Sequence, residues 1–391
     1  MTQQINSFLP VHNLLIECCN YSPDNDKLEN YVSDIVDWDL FLNTAYTHGV
    51  YPLVAKSLKS IINVPSEIKS KLKKNNLEIA RRNMMMSIEL LKVTKLLKEN
   101  DIKALAIKGP VLSQIIYGNI AQRQYADLDI LMAKNDIYKA GVVLKNAGYI
   151  SEHSIEFLKN STLLKVAKDF SIFNSAHNVH IEFHWQLFLE RQIKKSKIVL
   201  FSPLNPAYQI NNQTIPTLKD DENLIFLLLH GSKHMWERIE WIVDIDRFIR
   251  LKGESIDWDK LSLMARDMKA EVMFYLGLSI SNELFSTPLD QNILAKIKTM
   301  KKVHAAQEFI LKGMIYNSIS NKTTKAFAFK ILYKTQLNKD NITAVINHYL
   351  STLFQLKDFD VYMVNLPNNI SFLYHFIRLY RLMRFYFFKR M

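Results

Sequence analysis

The residues best placed to do chemistry are Asp127 and Asp129, in the run Asp127-Leu128-Asp129-Ile130-Leu131-Met132. Acid and apolar residues alternate there, which is the pattern of a strand, and residues two apart on a strand point to the same side. The two carboxylates then share one face, about 6–7 Å apart along the chain. Like charges at that range repel, so one takes up a proton unless a cation sits between them. A hard divalent cation answers that requirement. Mg²⁺ favours one or two carboxylates together with phosphate oxygens and water, the set that a D-x-D strand facing a nucleoside triphosphate supplies. A bare pair of strand acids is also the pattern of a solvated face, so the neighbours weigh in the reading. Lys108 and Gly109 stand ahead of the pair, where a glycine lets backbone approach a phosphate and the N-terminus of a following helix favours an anion. Arg123 adds a planar cationic fork just before Asp127.

Positioning these residues takes a strand, a turn, a helix, a loop and a second strand. Ala104 to Ile107 is a short apolar run, Lys108-Gly109-Pro110 punctuates it, and a brief helix starts at Val111. A polar loop after Tyr117-Gly118 carries Arg123. Upstream, Pro65 to Asn100 reads as one long helix. Its Lys69, Lys71, Lys73, Lys74, Arg81 and Arg82 either track an anion or form a solvated face. Downstream, Asn135 to Ala147 reads as a helix ended by Gly148, and Asp169–Asn174 and Val179–Trp185 read as strands joined by the turn at 175–178. Alternation along the second of these puts His180, Glu182 and His184 on one face and Ile181, Phe183 and Trp185 on the other. Three ligands in a row on one straight strand converge poorly on a tetrahedral ion, which disfavours zinc. Histidines flanking an ordinary strand are the plainer account of that face.

The set Lys108-Gly109, Leu112, Tyr117, Arg123, Asp127 and Asp129 resembles the polymerase-beta-like nucleotidyltransferase superfamily. Within it the chain is most similar to the uncharacterised bacterial nucleotidyltransferases with a K-G-x-x-L and R-x-x-x-D-x-D pattern, and it is also similar to the nucleotidyltransferase toxins of abortive-infection systems. The resemblance covers roughly the central three quarters of the chain. It implies a third carboxylate on a later strand, matched here by Glu182, which would complete the metal site and draw a proton from the attacking hydroxyl. It also implies a second motif, H-x-x-x-H-x-W-x-R-x-x-W-x-x-D. That motif is present from His230 to Asp244, on a helix expected to run on from the acids Asp220-Asp221-Glu222. Lys233, His234 and Arg238 are then candidates to touch triphosphate or acceptor, while Trp236, Trp241 and Asp244 pack and orient the helix. One departure stands out. Better-known members carry Gly-Ser at the turn, where this chain has Gly109-Pro110, which leaves the holder of the terminal phosphates open.

Length and composition bound the rest. At 391 residues the chain can hold two or three domains, and 48% hydrophobic with 23% charged residues is ordinary for a globular protein. The net charge of +12 implies attraction to polyanions: nucleic acid, an anionic membrane or nucleotides. Cys18 and Cys19 are adjacent, which excludes an ordinary bridge between them and suits a reducing cytoplasm. The first residues do not read as a secretory signal, and no stretch has about 18 uncharged apolar residues to span a membrane. Thr323 to Leu337 is basic and aromatic. The last 22 residues form an amphipathic pattern, with Arg378, Arg381, Arg384 and Lys389 on one side and Phe372, Phe376, Leu379, Met383 and Phe387 on the other. Such a helix fits an anionic membrane surface in a peripheral contact, a nucleic acid, or the protein's own helices with its basic side wet.

The expectation is therefore an α+β protein, with a small mixed-sheet nucleotidyltransferase core at 101–200. A helical segment precedes it at 1–100, a helical domain follows at 201–340, and an amphipathic basic tail occupies 341–391. The expected site is Asp127, Asp129 and Glu182 for metal and catalysis, with Lys108, Gly109, Arg123, Lys233, His234 and Arg238 for substrate. The expected cofactor is Mg²⁺, or Mn²⁺ in its place. The expected substrate is a nucleoside triphosphate such as ATP, and the acceptor is a peptide, protein, small molecule or RNA. A catalytically inactive nucleotide-binding or partner protein in a modification gene cluster is the alternative.

Overall fold

The structure is a computed structural model describing residues 10–187, 201, 205–210, 212–317 and 355–388. The basic stretch Thr323–Leu337 and Lys389 lie outside the described residues. The chain divides into two compact units that interleave along it. One comprises Met1–Ile88, Lys108–Ala126 and Phe188–Leu337, and the other Glu89–Ile107, Asp127–Leu187 and Asn338–Met391. The architecture is a small mixed sheet with helices before and after it, as expected.

The second unit holds the sheet, ordered β1-β2-β4-β3, with β1 Ala104–Ala106, β2 Asp127–Met132, β3 Asp169–Asn174 and β4 Val179–His184. The pairs β1/β2 and β3/β4 are antiparallel, and the central pair β2/β4 is parallel. β2 lies inside the sheet, and Leu128 to Met132 are all buried, the charged Asp129 among them. β4 alternates instead, with Val179, Ile181 and Phe183 buried and His180, Glu182 and His184 on the more open face. The helix Ile137–Asn146 follows β2. Its chain reverses through Gly148 at φ +89°, a left-handed conformation that a glycine adopts without a Cβ clash. At the end of β4 far from His184, the buried Glu89 carboxylate accepts hydrogen bonds from Tyr149 and Asn174 and pairs with His177.

The same unit contains the tail helix Tyr374–Phe388, and here the amphipathic expectation is corrected. Arg378 and Arg381 do not face water together. Both turn to the fully buried Asp360, with Arg378 Nη1 at 3.2 Å and Arg381 Nε at 2.6 Å from its carboxylate oxygens. A buried carboxylate without such partners would cost several kcal/mol, and that demand outweighs the helical-wheel assignment. Phe372, Phe376, Leu379, Tyr380 and Met383 are exposed in consequence. Tyr374 anchors the helix from its buried side, its hydroxyl accepting from Asn160 Nδ2 and from the Leu366 amide, both at 2.9 Å.

Among its described residues, the first unit is helical apart from the hairpin β5 Ala207–Ile210 and β6 Gln213–Pro216 and the connecting turns. Its centre is formed by the helices Asp220–Lys233, Ile239–Lys252 and Glu271–Phe285. The single helix expected from Asp220 to Asp244 is broken. Met235 and Trp236 take left-handed φ of +58° and +53°, which folds the Trp236 indole back into the core, fully buried. A Cβ on Gly231 would enter that ring, and one on Gly277 would come within 2.6 Å of it. The glycine that follows His230 thus makes room for an indole.

Candidate active site

Two adjacent parallel strands assemble the acidic face in the sheet-bearing unit. The register sets Asp127 opposite His180, Asp129 opposite Glu182 and Leu131 opposite His184. Asp129 is 4% exposed. One oxygen of Asp129, one of Glu182 and one nitrogen of His184 lie within 4.8 Å of one another. His184 Nε2 is 2.8 Å from Asp129 Oδ1 and 3.5 Å from Glu182 Oε2, and its Nδ1 is 3.8 Å from Asp169 Oδ2 on β3. Burial raises the Glu182 carboxyl above its ordinary range, the negative charges of Asp129, Asp127 and Asp169 raise it further, and His184 opposes them. Carboxylates crowded around one imidazole are a donor set that a divalent cation satisfies, so the residues fit a divalent metal.

His184 is the member that the sequence reading missed. It was visible only as part of an improbable zinc face with His180. The alternation that places it beside Glu182 was legible, but the parallel register carrying both to Asp129 was not. His180 goes elsewhere, exposed with its ring 4.6 Å from that of Phe173.

The expected substrate residues all lie in the other unit. Lys108 caps the helix Gly109–Tyr117, whose first residue has φ +54° and whose second is Pro110. A proline there keeps the helix start pre-organised. Lys233 is exposed, while His234 is half-buried with its ring 4.7 Å from His230 and 5.4 Å from Trp241. Arg238 lies 3.2 Å from Glu240 Oε2 and 5.9 Å from the Trp241 ring. Arg123 is committed internally. Its Nε and Nη2 each donate at 3.0 Å to the two carboxylate oxygens of Asp244, with side chains 6% and 2% exposed. Asn83 donates to the carbonyls of Ile120 and Arg123 at 2.9 and 2.7 Å, and Arg82 to that of Ala126 at 3.1 Å. The long helix Ser66–Glu99 therefore grips the loop through its side chains, a use of Arg82 that its charge alone did not reveal.

Beside this ion pair Glu240 is buried, and a Cβ on Gly49, at φ +73°, would fall on its carboxylate. Burial raises the Glu240 carboxyl to about 7, with Arg123, Arg238 and Lys108 pulling it back and Asp244 pushing it up. His48 accepts from the Ile239 amide at 3.3 Å. Burial, with the charges of His12 and Arg238 nearby, lowers its ring to about 4. The two groups act in opposite directions. Native Glu240 keeps a proton between its ordinary 4.5 and about 7, so its contribution to stability is lost as pH rises through that window. Unfolded His48 gains a proton as pH falls from 6.5 toward 4, so its contribution is lost on acidification. Glu240→Gln removes only the first effect. Its stability relative to wild type is expected to increase between pH 4.5 and 7 by on the order of 3 kcal/mol, measured by urea unfolding at stepped pH. A difference that stays constant with pH would refute the assignment.

The sheet, its acidic face and the helical second motif describe a nucleotidyltransferase. The chain belongs to the uncharacterised nucleotidyltransferase family, whose model matches residues 34–286. As such it is a transferase with a nucleotide substrate, of a class that generally uses divalent metals. No curated protein matches the chain. Among solved structures, it is similar to the antibiotic-resistance factor ANT(2'')-Ia at 10% identity and a TM-score of 0.33, covering 51% of this chain and 97% of that one. It is also similar to an antigenic nucleotidyltransferase-like protein from Paracoccidioides brasiliensis at 14% identity and a TM-score of 0.32, covering 52% and 93%. Among the described residues, no helix is long and apolar enough to cross a membrane.

Proposed function

We propose that the chain transfers a nucleoside monophosphate from a nucleoside triphosphate to a hydroxyl acceptor. Asp127, Asp129 and Glu182 would hold Mg²⁺, or Mn²⁺ in its place. The observation that carries this reading is the in-register pairing of Asp129 with Glu182 on parallel strands, with the His184 imidazole against both. The acceptor oxygen bonds to the α-phosphorus, the bond from that phosphorus to the oxygen bridging to the β-phosphate breaks, and pyrophosphate leaves. The divalent cation supplies charge neutralisation at the α-phosphate and at the departing oxygen. Glu182 would receive the hydroxyl proton. Lys108 and the opening turn at Gly109 are candidates to hold phosphate oxygens, as are Lys233, His234 and Arg238. Arg123 serves at one remove, fixing its loop through Asp244.

The test uses triphosphates labelled at the α- or the γ-phosphate, Mg²⁺, and separated pools of RNA, protein and small molecules. The expected result is α-label on an acceptor and γ-label in pyrophosphate. Transfer of γ-label would make the chain a kinase and overturn the reading. No transfer, together with metal-dependent thermal stabilisation by triphosphates, would establish the binding module instead.

A further inference from the structure

We infer that His184 Nε2 is itself a ligand of the cation, so that the site takes a transition-metal dication such as Mn²⁺ in preference to Mg²⁺. This rests on the metal-dependent reading above and specifies its metal. Nε2 faces the carboxylate oxygens of Asp129 and Glu182 at 2.8 and 3.5 Å, while Nδ1 faces Asp169 at 3.8 Å. Nε2 and one oxygen each of Asp129 and Glu182 all lie within 4.8 Å of one another, close enough for a single cation to take all three as ligands. An imidazole that ligates through one nitrogen and addresses a carboxylate with the other is the usual environment of a metal-bound histidine, and Asp169, paired with His184 across β3/β4, occupies that outer position.

The strand register explains why this histidine and not its neighbour. His180 is on the same alternating face as Glu182 but opposite Asp127 at the other end of the pairing, and it is exposed. The atoms that meet are one oxygen each of Asp129 and Glu182 and the His184 nitrogen, so an imidazole joins the carboxylates that would hold the cation. Mg²⁺ prefers oxygen donors and keeps its water, whereas first-row transition-metal dications accept imidazole, so a nitrogen donor tilts the choice toward that series, of which Mn²⁺ is the member that also suits carboxylate and water.

The experiment is pulsed electron paramagnetic resonance on the full chain with Mn²⁺ alone, which reads nitrogen coupling from a directly bound imidazole. The expected result is a nitrogen coupling in the wild type that is lost in His184→Gln and kept in His180→Gln. Histidine labelled with ¹⁵N in the unaltered chain changes the coupling pattern, so the result does not depend on any variant folding. By competition, Asp169→Asn is expected to weaken Mn²⁺ by about 10–100-fold, and His184→Gln to weaken Mn²⁺ at least as much and Mg²⁺ by much less. Mn²⁺ bound through Asp129 without nitrogen coupling would overturn this inference and leave the nucleotidyl-transfer reading standing. Absence of any Asp129-dependent Mn²⁺ binding would overturn both.

Discussion

Asp129→Asn is expected to lower nucleotidyl transfer by on the order of 10³-fold or more, because neutralising transition-state charge through a metal is worth several kcal/mol. The amide keeps an oxygen to face His184 Nε2, now at 2.8 Å from the carboxylate, so the strand pairing has no reason to change. The unliganded protein is expected to melt at the same temperature or higher. Asp129 is one of the charges that push the Glu182 proton affinity up, and removing it relieves that repulsion. Loss of turnover with an unchanged or raised melting temperature therefore separates a chemical role from a structural one. Transfer at the wild-type rate in the Mg²⁺-dependent labelling assay would remove Asp129 from the mechanism.

The second large effect is on stability. Asp244→Ala leaves the Arg123 guanidinium buried, 6% exposed, without its bidentate partner, and stranding a buried charge costs about 3–5 kcal/mol. Arg123→Met combined with Asp244→Leu removes both charges in similar volume, and such replacements are commonly neutral or stabilising. The double variant is expected to recover most of the loss. Urea unfolding followed by tryptophan fluorescence reads mainly the unit concerned, since four of the five tryptophans, the fully buried Trp236 among them, belong to it. A single variant that loses less than about 1 kcal/mol would put the pair in the class of weak surface bridges.

What was legible in the sequence was local. The strands at Asp127, Asp169 and Val179 and the long helix ending at Glu99 follow the alternation and periodicity of their residues to within a residue or two. Faces were legible too, since alternation alone placed Glu182 and His184 together. Partners were not. The parallel pairing of β2 with β4 joins residues more than fifty apart, and nothing in either strand announces which register will form. Arg123 shows the same limit, because an isolated arginine reads as a cation for a ligand until its buried acid is found 121 residues later. Trp236 shows it again. A helical pattern ran through it, and only a core cavity shaped by Gly231 and Gly277 repays two left-handed residues. The tail failed for a different reason, since a wheel assigns arginines to water by default and Asp360 lies outside the window that draws the wheel.

The interleaving of the two units also governs how this protein comes off the ribosome. Arg123 leaves the tunnel 121 residues ahead of Asp244, a wait of about 6–24 s at ordinary synthesis rates of about 5–20 residues per second. Asn160 waits longer, since the tyrosine that holds it, Tyr374, follows 214 residues later. The acidic strands emerge early, into a nascent chain whose supporting contacts have not been made. Each unit has all its segments only once a late one has been made, the stretch from Phe188 for the first and from Asn338 for the second.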